Sequence, residues 1–404
     1  MKILMLTPYL PYPPSSGGQI RSYNLIKQLS KKHQITLYSL IKHDSERQYI
    51  SELEKYCENV KVFKRAEKPW TIANILRTGF SPYPFVVIRN FSKLEKQSVA
   101  EILSREKFDI IHAETFYVYP HIPETHVPVV LVDQTIEYQV YQHYVENYKF
   151  LFMKPLLWID VLKIKFWETH FWKKSARAIA VSESDAQKMA ASASKIQVSI
   201  VPNGVGEDLM EKTPMHYSND ILFMGNYDWM QNLEAAKVLA REVFPKILQK
   251  IPDARLIIAG QNADKVVGLE SDKVKMVNLS IEDIEGVKKA YRQSGVLVAP
   301  LYGPGGTRLK ILGAMAACLP VVTTHIGIEG IDAKNGESVL FGKTPEELAN
   351  LTIQILSDKK LYEKITTNAR KLVEEKYSYP VIAGKLDRIY QEVCKEKKAH
   401  ENNN

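Results

Sequence analysis

Short apolar runs alternate with longer amphipathic stretches along almost the whole chain. Such runs fit strands that a parallel sheet buries on both faces, and the stretches between them fit helices. The first half of the chain predicts strands at residues 3–7, 34–40, 60–63, 109–113, 129–132, 178–181 and 198–201. A second series predicts strands at 221–224, 255–259, 296–299 and 321–323, with helices at 232–249, 282–291 and 307–317. Strands that alternate with helices indicate βαβ units.

A strong turn signal at Pro202-Asn203-Gly204 separates the two series. The sequence therefore predicts two doubly wound α/β domains, residues 1–203 and 204–378. Ligands of such sheets bind beyond the carboxyl ends of the strands, so we expect the site in a cleft between the domains.

Composition is that of a globular protein, with 404 residues, 45% hydrophobic and 25% charged. The net charge of +8 suggests an anionic partner, either a phosphorylated ligand, a lipid headgroup or nucleic acid. Because the positive charges are dispersed rather than clustered in a motif, we expect no nucleic-acid binding.

Three widely separated cysteines indicate neither a disulfide framework nor a zinc site, and they fit a reducing compartment. The apolar run at the N-terminus is interrupted early by Pro11, Pro13 and Pro14, which favours a buried strand over a signal peptide. No uninterrupted run of about eighteen apolar residues occurs, so we expect no membrane span and a cytoplasmic location.

The segment 303–310 is the most informative motif, because a glycine-rich loop follows a predicted strand and opens a helix. Glycines allow close approach of a ligand, and a helix N-terminus presents unpaired N–H groups to an anion. Arg308 can bind phosphate oxygens through two parallel hydrogen bonds, and Lys310 adds a point charge. The segment lacks the Gly-Lys-Ser/Thr ending of a Walker A loop and the third glycine of the dinucleotide signature. From composition alone, a phosphate site and a simple helix-capping turn both remain open.

A second glycine loop follows the first strand, where Gly17 and Gly18 lead into a helix with Arg21 in its first turn. Small residues there would admit an acceptor or a phosphate to the helix end, whereas the alternative is a loop whose glycines serve turn geometry alone.

Taken in order, these motifs resemble the GT-B glycosyltransferases, and specifically the retaining family 4. The segments that carry the resemblance are residues 17–18, 201–205, 223–225, 256–260, 306–316 and 319–324. Each is weak alone, but their order and spacing extend over nearly the whole chain.

The resemblance implies two Rossmann-like domains facing a central cleft, the first for the acceptor and the second for the donor. It also implies a C-terminal helix, predicted at residues 379–396, that returns to the first domain. The donor is then a nucleotide-diphosphate sugar, the acceptor a glycan or lipid-linked glycan, and neither a metal nor another cofactor is required. In this family the donor's own phosphate is thought to help deprotonate the acceptor.

Residue by residue, the resemblance assigns the diphosphate to Arg308 and Lys310. The remaining predicted donor-binding residues are Gly225, Asn226, Gly305, Gly306, Thr307 and Glu329. Gly17, Gly18 and Arg21 form the predicted acceptor or phosphate loop.

Two positions depart from the family pattern. Gly305 and Gly313 stand where many members carry two glutamates, the second of which binds the donor ribose. Because Lys310 lies three residues before Gly313, a carboxylate at 313 would share the helix face of Lys310, and we expect Gly313→Glu to strengthen donor binding and stabilise the helix. Gln134 replaces a histidine that the resemblance places close to the sugar. His112, which closes a strand with Glu114 beside it, either compensates for that loss or is a satisfied strand-end residue. The predicted catalytic residues are His112, Gln134 and Glu137.

Two further segments leave alternatives open. Trp229, in the loop after the first strand of the second domain, either packs on a base or sugar or anchors the next helix. Residues 154–174 combine aromatic, apolar and basic residues, and they fit either a packed core helix or a helix on an anionic membrane surface.

The leading hypothesis is a retaining glycosyltransferase of cell-envelope polysaccharide synthesis. The alternative is a non-catalytic GT-B protein that binds a glycan or a partner enzyme, because Gly313 and Gln134 remove groups that turnover would use. A nucleotide-sugar epimerase is disfavoured, since the sequence offers no converging set of acidic and histidine groups.

Overall fold

The computed structural model describes residues 1–402 except 69, 193–195, 212–213, 281–282 and 304–307, and only the backbone of 400–402. The chain divides into two compact units. The first comprises Met1–Val201 together with Ala383–Asn404, and the second comprises Pro202–Ile382. The sequence had placed this boundary after residue 203 and the return to the first domain at residue 379.

A seven-stranded parallel sheet forms the centre of the first unit, in the order β3-β2-β1-β4-β5-β6-β7. Its strands are β1 Lys2–Thr7, β2 Gln34–Ile41, β3 Asn59–Lys64, β4 Ile110–Glu114, β5 Val129–Asp133, β6 Arg177–Ala180 and β7 Val198–Ile200. The three central strands β1, β4 and β5 are almost entirely buried, which explains their continuous apolar runs.

In the part of the first unit that the structure describes, eight α-helices lie between these strands. They are α1 Gly17–Leu29, α2 Ile50–Leu53, α3 Ile72–Phe80, α4 Phe85–Asn90, α5 Lys93–Arg105, α6 Glu137–Glu146, α7 Lys154–Lys174 and α8 Glu183–Ser192. Trp172 at the end of α7 is fully buried and packs into the core between the sheet and its helices.

A six-stranded parallel sheet forms the second unit, in the order β10-β9-β8-β11-β12-β13. Its strands are β8 Asp220–Asn226, β9 Arg255–Gln261, β10 Val274–Asn278, β11 Val296–Ala299, β12 Val321–Thr324 and β13 Leu340–Gly342. Its helices are α9 Met230–Val238, α10 Phe244–Leu248, α11 Ile284–Gln293, α12 Leu309–Ala316, α13 Pro345–Ser357 and α14 Lys359–Leu372. Both sheets therefore have a Rossmann-like strand order, as predicted.

The helix predicted over 232–249 is divided in the structure. A π-helical turn, Leu239–Val243, separates α9 from α10, and Pro245 lies in the first turn of α10. Proline has no N–H to donate to the preceding turn and its ring crowds the carbonyl four residues earlier, so a regular helix cannot continue through it.

The last helix, α15 Tyr379–Asn402, continues beyond the predicted end at residue 396. From Ala383 onwards it belongs to the first unit, where Tyr390 is fully buried and Asp387 contacts His33. No helix in the described part of the chain has the length and apolar character that crossing a bilayer requires.

Candidate functional site

Each sheet has a switch point, where the strand order reverses and a crevice opens beyond the carboxyl ends. In the first unit it lies between β1 and β4, and in the second between β8 and β11. Open parallel sheets bind their ligands at such points. Most of the predicted site residues that the structure describes lie at the carboxyl ends of these strands or of the strands beside them, or in the loop or the first turns of the helix that follows.

The loop after β1 is held closely against Tyr9. Ser16 caps α1 by accepting a hydrogen bond from the backbone N–H of Gln19. A Cβ atom on Gly18 would lie 2.0 Å from the Tyr9 hydroxyl, so a side chain here would displace the tyrosine ring. Gly18 therefore serves close packing, and the ligand contact predicted for it would have to be made by its backbone. Gly17 is exposed at the start of α1.

Arg21, Glu114 and His112 form a buried charged network beside this loop. Arg21 Nε lies 3.3 Å from Glu114 Oε1, and His112 Nε2 lies 2.7 Å from Glu114 Oε2. Arg21 also donates to the Val201 carbonyl oxygen at 3.1 Å. Burial opposes ionisation of Glu114, but the hydrogen bond from His112 and the charge of Arg21 outweigh it and lower the pKa of the carboxyl.

His112 is enclosed completely. Its Nδ1 lies 2.6 Å from the hydroxyl of Tyr390, which donates when Nε2 carries the ring hydrogen and donates to Glu114. The side chain has no exposed surface. In this structure His112 fixes the orientation of Glu114, and a catalytic role for His112 stays a prediction.

Gln134 is half-buried and lies at the edge of this network. Its Nε2 donates to Glu114 Oε1 at 2.7 Å and to the Tyr9 hydroxyl at 3.2 Å. These bonds orient the amide, which can still offer its oxygen to a ligand hydroxyl but cannot transfer a proton at neutral pH. The structure thus brings Gln134 together with Arg21 and the Gly18 loop.

Glu137 lies at the start of α6, one turn beyond Gln134. Burial raises the pKa of its carboxyl, and the nearby Arg89 guanidinium partly opposes that rise. Its backbone N–H donates to Glu168, another buried carboxyl whose pKa burial raises strongly. A carboxyl that is easily protonated can donate a proton, so Glu137 remains a candidate acid or base.

In the second unit, the loop after β8 is fixed by close backbone contact. Gly260 has a positive φ of 131°, and a Cβ there would lie 1.9 Å from the Gly225 carbonyl oxygen. Asn226 bonds to Gln261 and to the backbone N–H of Asp228. Asn232 of α9 donates to the Asn226 carbonyl oxygen at 2.7 Å, which closes the loop.

Lys310 lies in the first turn of α12 and is directed towards this loop. Its Nζ donates to Asn232 Oδ1 at 2.6 Å and lies 4.7 Å from the centroid of the Phe223 ring. Within the described residues no carboxylate forms an ion pair with it. Burial, together with the charge of Arg308, lowers the pKa of Lys310 to about 7.

Arg308 is also largely buried, with 8% of its surface exposed. Its Nη2 donates to the Gly303 carbonyl oxygen at 2.7 Å, while its buried Nε finds no acceptor in the described part of the chain. Burial lowers its pKa, and Glu329 acts in the opposite direction. Glu329 itself is exposed. Gly305, Gly306 and Thr307 lie outside the described residues.

Gly313 does not occupy the place expected from helix periodicity. A Cβ there would lie 3.1 Å from the Tyr291 hydroxyl and 3.3 Å from Leu209 Cδ1, in the apolar core. Glutamate at this position would have to push aside packed side chains and bury a charge. The expectation that Gly313→Glu strengthens donor binding and stabilises the helix is therefore withdrawn.

The structure bears on the two alternatives that the sequence left open, at Trp229 and in helix α7. Trp229 is 59% exposed, so it does not anchor α9 to the core and its ring is available to a ligand. Helix α7 is a core helix on one side, where Ile164 and Phe171 are buried, whereas Leu162 and Phe166 are 62% and 61% exposed, and its contact with a membrane stays a prediction.

Tyr9, Asn232 and Tyr390 belong to these clusters but were not predicted. Asn232 could have been found, because a polar residue on the buried face of a predicted helix is unusual and needs a partner. Tyr390 could not, since it lies 278 positions from the His112 that it contacts. Within the described residues no three histidine, cysteine, aspartate or glutamate side chains are placed to hold a metal ion.

Two family models match the chain. Residues 15–209 match the model described as Glycosyltransferase Family 4, and residues 218–358 match Glycosyl transferases group 1. A protein of the Klebsiella pneumoniae cps region, uncharacterized and of 44.6 kDa, is 23% identical over 93% of this chain and 96% of its own. An uncharacterized glycosyltransferase of Methanocaldococcus jannaschii is 34% identical over 42% of this chain and 44% of its own.

Solved structures share the fold. Anabaena HepE in complex with UDP matches with a TM-score of 0.66 at 15% identity, over 97% of this chain and 100% of its own. Sucrose-phosphate synthase of Thermosynechococcus elongatus gives 0.68 at 15% identity, over 97% and 99%. Together with the two family models, which cover both units, these likenesses show that the chain belongs to the GT-B glycosyltransferases of the family 4 and group 1 type.

Proposed function

We propose that this protein transfers a sugar from a nucleotide-diphosphate sugar to a glycan or lipid-linked acceptor in the synthesis of a cell-envelope polysaccharide. The observation that carries the proposal is the pair Arg308 and Lys310. Both cations are largely withdrawn from water at the start of α12, and neither forms an ion pair with a described carboxylate. Buried charges are costly unless they are compensated, and a diphosphate would compensate these two.

The uridine nucleotides are the first donors to test. HepE of Anabaena is described in complex with UDP-glucose and with UDP, and a TarM variant of S. aureus in complex with UDP. Asn226, whose amide is fixed, ends β8, and the exposed ring of Trp229 follows it, where a base or ribose would bind beside the diphosphate.

In the proposed reaction an acceptor hydroxyl oxygen bonds to the anomeric carbon as the bond from that carbon to the diphosphate oxygen breaks. The diphosphate leaves with the electron pair, and Arg308 and Lys310 stabilise its growing charge. The hydroxyl proton passes to a phosphate oxygen of the donor, in keeping with the retaining mechanism that the family resemblance implies. Gln134 and Glu137 belong to the proposed acceptor side.

Direct tests are calorimetric titrations of the protein with UDP-glucose, GDP-mannose and ADP-glucose, followed by product analysis on the donor that binds. NMR of the product's anomeric proton reports retention or inversion. Saturable binding with sugar transfer to an isolated glycan or lipid-linked acceptor supports the enzyme. Binding without nucleotide release across such acceptors would favour the alternative of a non-catalytic GT-B protein.

We also propose peripheral contact with a membrane through α7. Its exposed residues Leu156, Ile159, Leu162 and Phe166 recur at helical spacing and form one apolar stripe, preceded by the exposed 150–152 segment. Lys163 is not available to lipid headgroups, because its Nζ donates to the carbonyl oxygens of Thr78 and Ser81 at 2.7 Å each.

Because the apolar stripe would supply part of the contact, we expect this attachment to depend only partly on the salt concentration. Co-sedimentation with neutral and anionic vesicles should show binding that Leu162→Gln with Phe166→Gln weakens. Equal sedimentation of the variant, or none for the parent at low salt, would count against membrane contact.

A further inference from the structure

Three cations meet at the carboxyl edge of the first sheet without a matching set of anions. Lys42 follows β2 and Arg65 follows β3, and these strands pair in parallel with Ile41 opposite Lys64. The backbone N–H of Arg65 donates to the Ile41 carbonyl oxygen at 3.0 Å, so the register continues to these two residues. Residues opposite one another in a sheet share a face, which places two like charges side by side.

Arg89 completes the group from helix α4. Arg65 Nη1 donates to the side-chain oxygen of Asn90 at 2.8 Å, so the Arg65 guanidinium lies against the residue next to Arg89. The N-terminus of α4 is held in turn by Asp160 of α7, which accepts the backbone N–H of Phe85 at 2.9 Å. The cations are thus positioned by three separate elements.

Both guanidinium groups of this cluster have a buried N–H donor without an acceptor among the described residues. The Nε atoms of Arg65 and Arg89 are both buried without a hydrogen-bond partner in the described chain. The side chain of Arg89 makes no hydrogen bond or ion pair with any described residue. Burial lowers the pKa of Lys42 and of Arg65, and the neighbouring cations lower each further.

The nearest acids do not neutralise the group. Glu46 influences Lys42 and Arg65, but its Oε1 accepts the backbone N–H groups of Lys42 and His43 at 2.8 Å each. The charge of Arg89 acts to lower the pKa of the Glu137 and Asp160 carboxyls, but neither carboxyl forms an ion pair with Arg89. Unused donors and uncompensated positive charge at a strand edge are the features of an oxyanion site.

We propose that Lys42, Arg65 and Arg89 bind a phosphate or diphosphate group of the acceptor. This inference rests on the proposed glycosyl transfer, because Arg89 lies close enough to Glu137 and Tyr117 to influence both at the predicted acceptor side. It goes further by giving the acceptor a charge and naming the residues that hold it.

An apolar surface beside the cluster indicates where the phosphate comes from. Helix α3 directly precedes α4 and exposes Ile72, Ile75, Leu76 and Phe80. Trp70 stacks on Phe85 of α4 with ring centroids 4.4 Å apart, which joins this surface to the helix of Arg89. A phosphate site bordered by apolar side chains fits the headgroup of a lipid-linked diphosphate.

The test uses the full chain carrying Arg308→Gln, which weakens the donor's diphosphate site so that it does not dominate the titration. Inorganic diphosphate is titrated calorimetrically into this parent and into its Arg65→Gln and Arg89→Gln derivatives. Each loss of a guanidinium should weaken binding roughly tenfold. Lys64→Gln is the matched control, because Lys64 is the strand neighbour of Arg65 but pairs with Asp44 at 2.6 Å, and it should change the affinity by less than about twofold.

Unchanged affinity in both arginine variants, or no saturable binding in the parent, would overturn the site. Thermal unfolding checks that each variant is folded, and Arg89→Lys, which keeps the charge, should retain part of the affinity. Farnesyl diphosphate then distinguishes the sources. Tighter binding than inorganic diphosphate, reversed by Ile75→Gln, identifies a lipid-linked acceptor, whereas equal binding identifies a soluble phosphorylated one.

Failure of this inference and failure of the proposed function give different results. The chain with Arg308 intact is titrated with UDP in parallel, in the wild type and in the Arg89→Gln variant. If UDP binding survives Arg89→Gln but no diphosphate site is found near Arg65, the proposed transferase stands and the proposed phosphate site is rejected. If diphosphate binding depends on Arg89 but no nucleotide binds, the phosphate site stands and the proposed transferase is rejected.

Discussion

The two units treat buried charge in opposite ways at their switch points. In the first unit, Glu114 pairs with Arg21 and accepts hydrogen bonds from His112 and Gln134, so positive and negative groups compensate one another within the protein. In the second, Arg308 and Lys310 have neutral oxygen acceptors and no paired carboxylate among the described residues. The first arrangement is compensated within the protein, whereas we propose that an anion compensates the second.

The largest expected effect is on the compensated network. Glu114→Gln leaves Arg21 buried without its counter-ion, so the free energy of unfolding should fall by about 3–5 kcal/mol in urea denaturation. Glu101→Gln is the control, because Glu101 forms an exposed ion pair with Arg105 and its loss should cost less than about 1 kcal/mol. Equal costs would show that the Glu114 network is not the buried anchor described.

The second unit should respond in ligand binding. Arg308→Gln removes a charge-assisted contact to phosphate and should weaken UDP binding about ten- to a hundred-fold in calorimetry, which corresponds to about 1.5–3 kcal/mol. Arg292→Gln provides the control, because Arg292 is in the same unit but pairs with Glu211 at 2.8 Å. If Arg308→Gln binds UDP as well as the wild type does, the diphosphate site has been misplaced.

Lys310 should make the unliganded protein sensitive to pH. Its pKa is about 7 when folded, against an ordinary value of 10.5, so between these values unfolding takes up a proton. Stability therefore rises with pH across that window, and the cost of the buried charge is complete below pH 7. The Lys310 side chain keeps some exposure to water, which screens its charge, so we expect less than the full effect of this pKa difference. Lys310→Met should gain about 1–2 kcal/mol on the wild type at pH 6 compared with pH 10.

Denaturation curves at both pH values check this prediction, with the exposed Lys237→Met as control. Parallel pH profiles for the wild type and Lys310→Met would contradict it. Saturating UDP should remove the difference, because a bound diphosphate favours the charged ammonium.

How far the sequence could predict this molecule follows from the range of the interactions involved. Continuous apolar runs predicted the strands that the sheets bury on both faces, but they did not predict β10, which is partly exposed, or β13, which has only three residues. The loop order predicts Arg308 and Lys310 as diphosphate-binding residues, since ligand loops follow strand ends in a parallel sheet, and this stays a prediction. Both signals are local in the sequence.

The network of the first unit depends instead on distant contacts. His112 is a candidate catalyst because it closes a strand, but its orientation depends on Tyr390, which is remote in sequence. Gly313 was misjudged for a similar reason. Helix periodicity gives a direction around α12, but only the packing of α11 against it shows that Tyr291 occupies that direction.

The smallest expected effect tests this packing at Gly313. Alanine in the middle of a helix normally gains about 1 kcal/mol over glycine. Here its Cβ would lie 3.1 Å from the hydroxyl of Tyr291, which also donates to the Lys310 carbonyl oxygen at 3.2 Å. We expect crowding to offset the gain, so that Gly313→Ala changes the unfolding free energy by less than about 0.5 kcal/mol.

Tyr291→Phe removes the closest atom, and Gly313→Ala should become more favourable in that background by about 0.5–1 kcal/mol. Denaturation of the four proteins in this double-mutant cycle measures the coupling. A full gain of about 1 kcal/mol from Gly313→Ala in the wild-type background would mean that α11 yields readily to a side chain at 313. UDP affinity should be unchanged in all four proteins, because position 313 faces Tyr291 and Leu209 rather than the Asn232 side chain that Lys310 contacts.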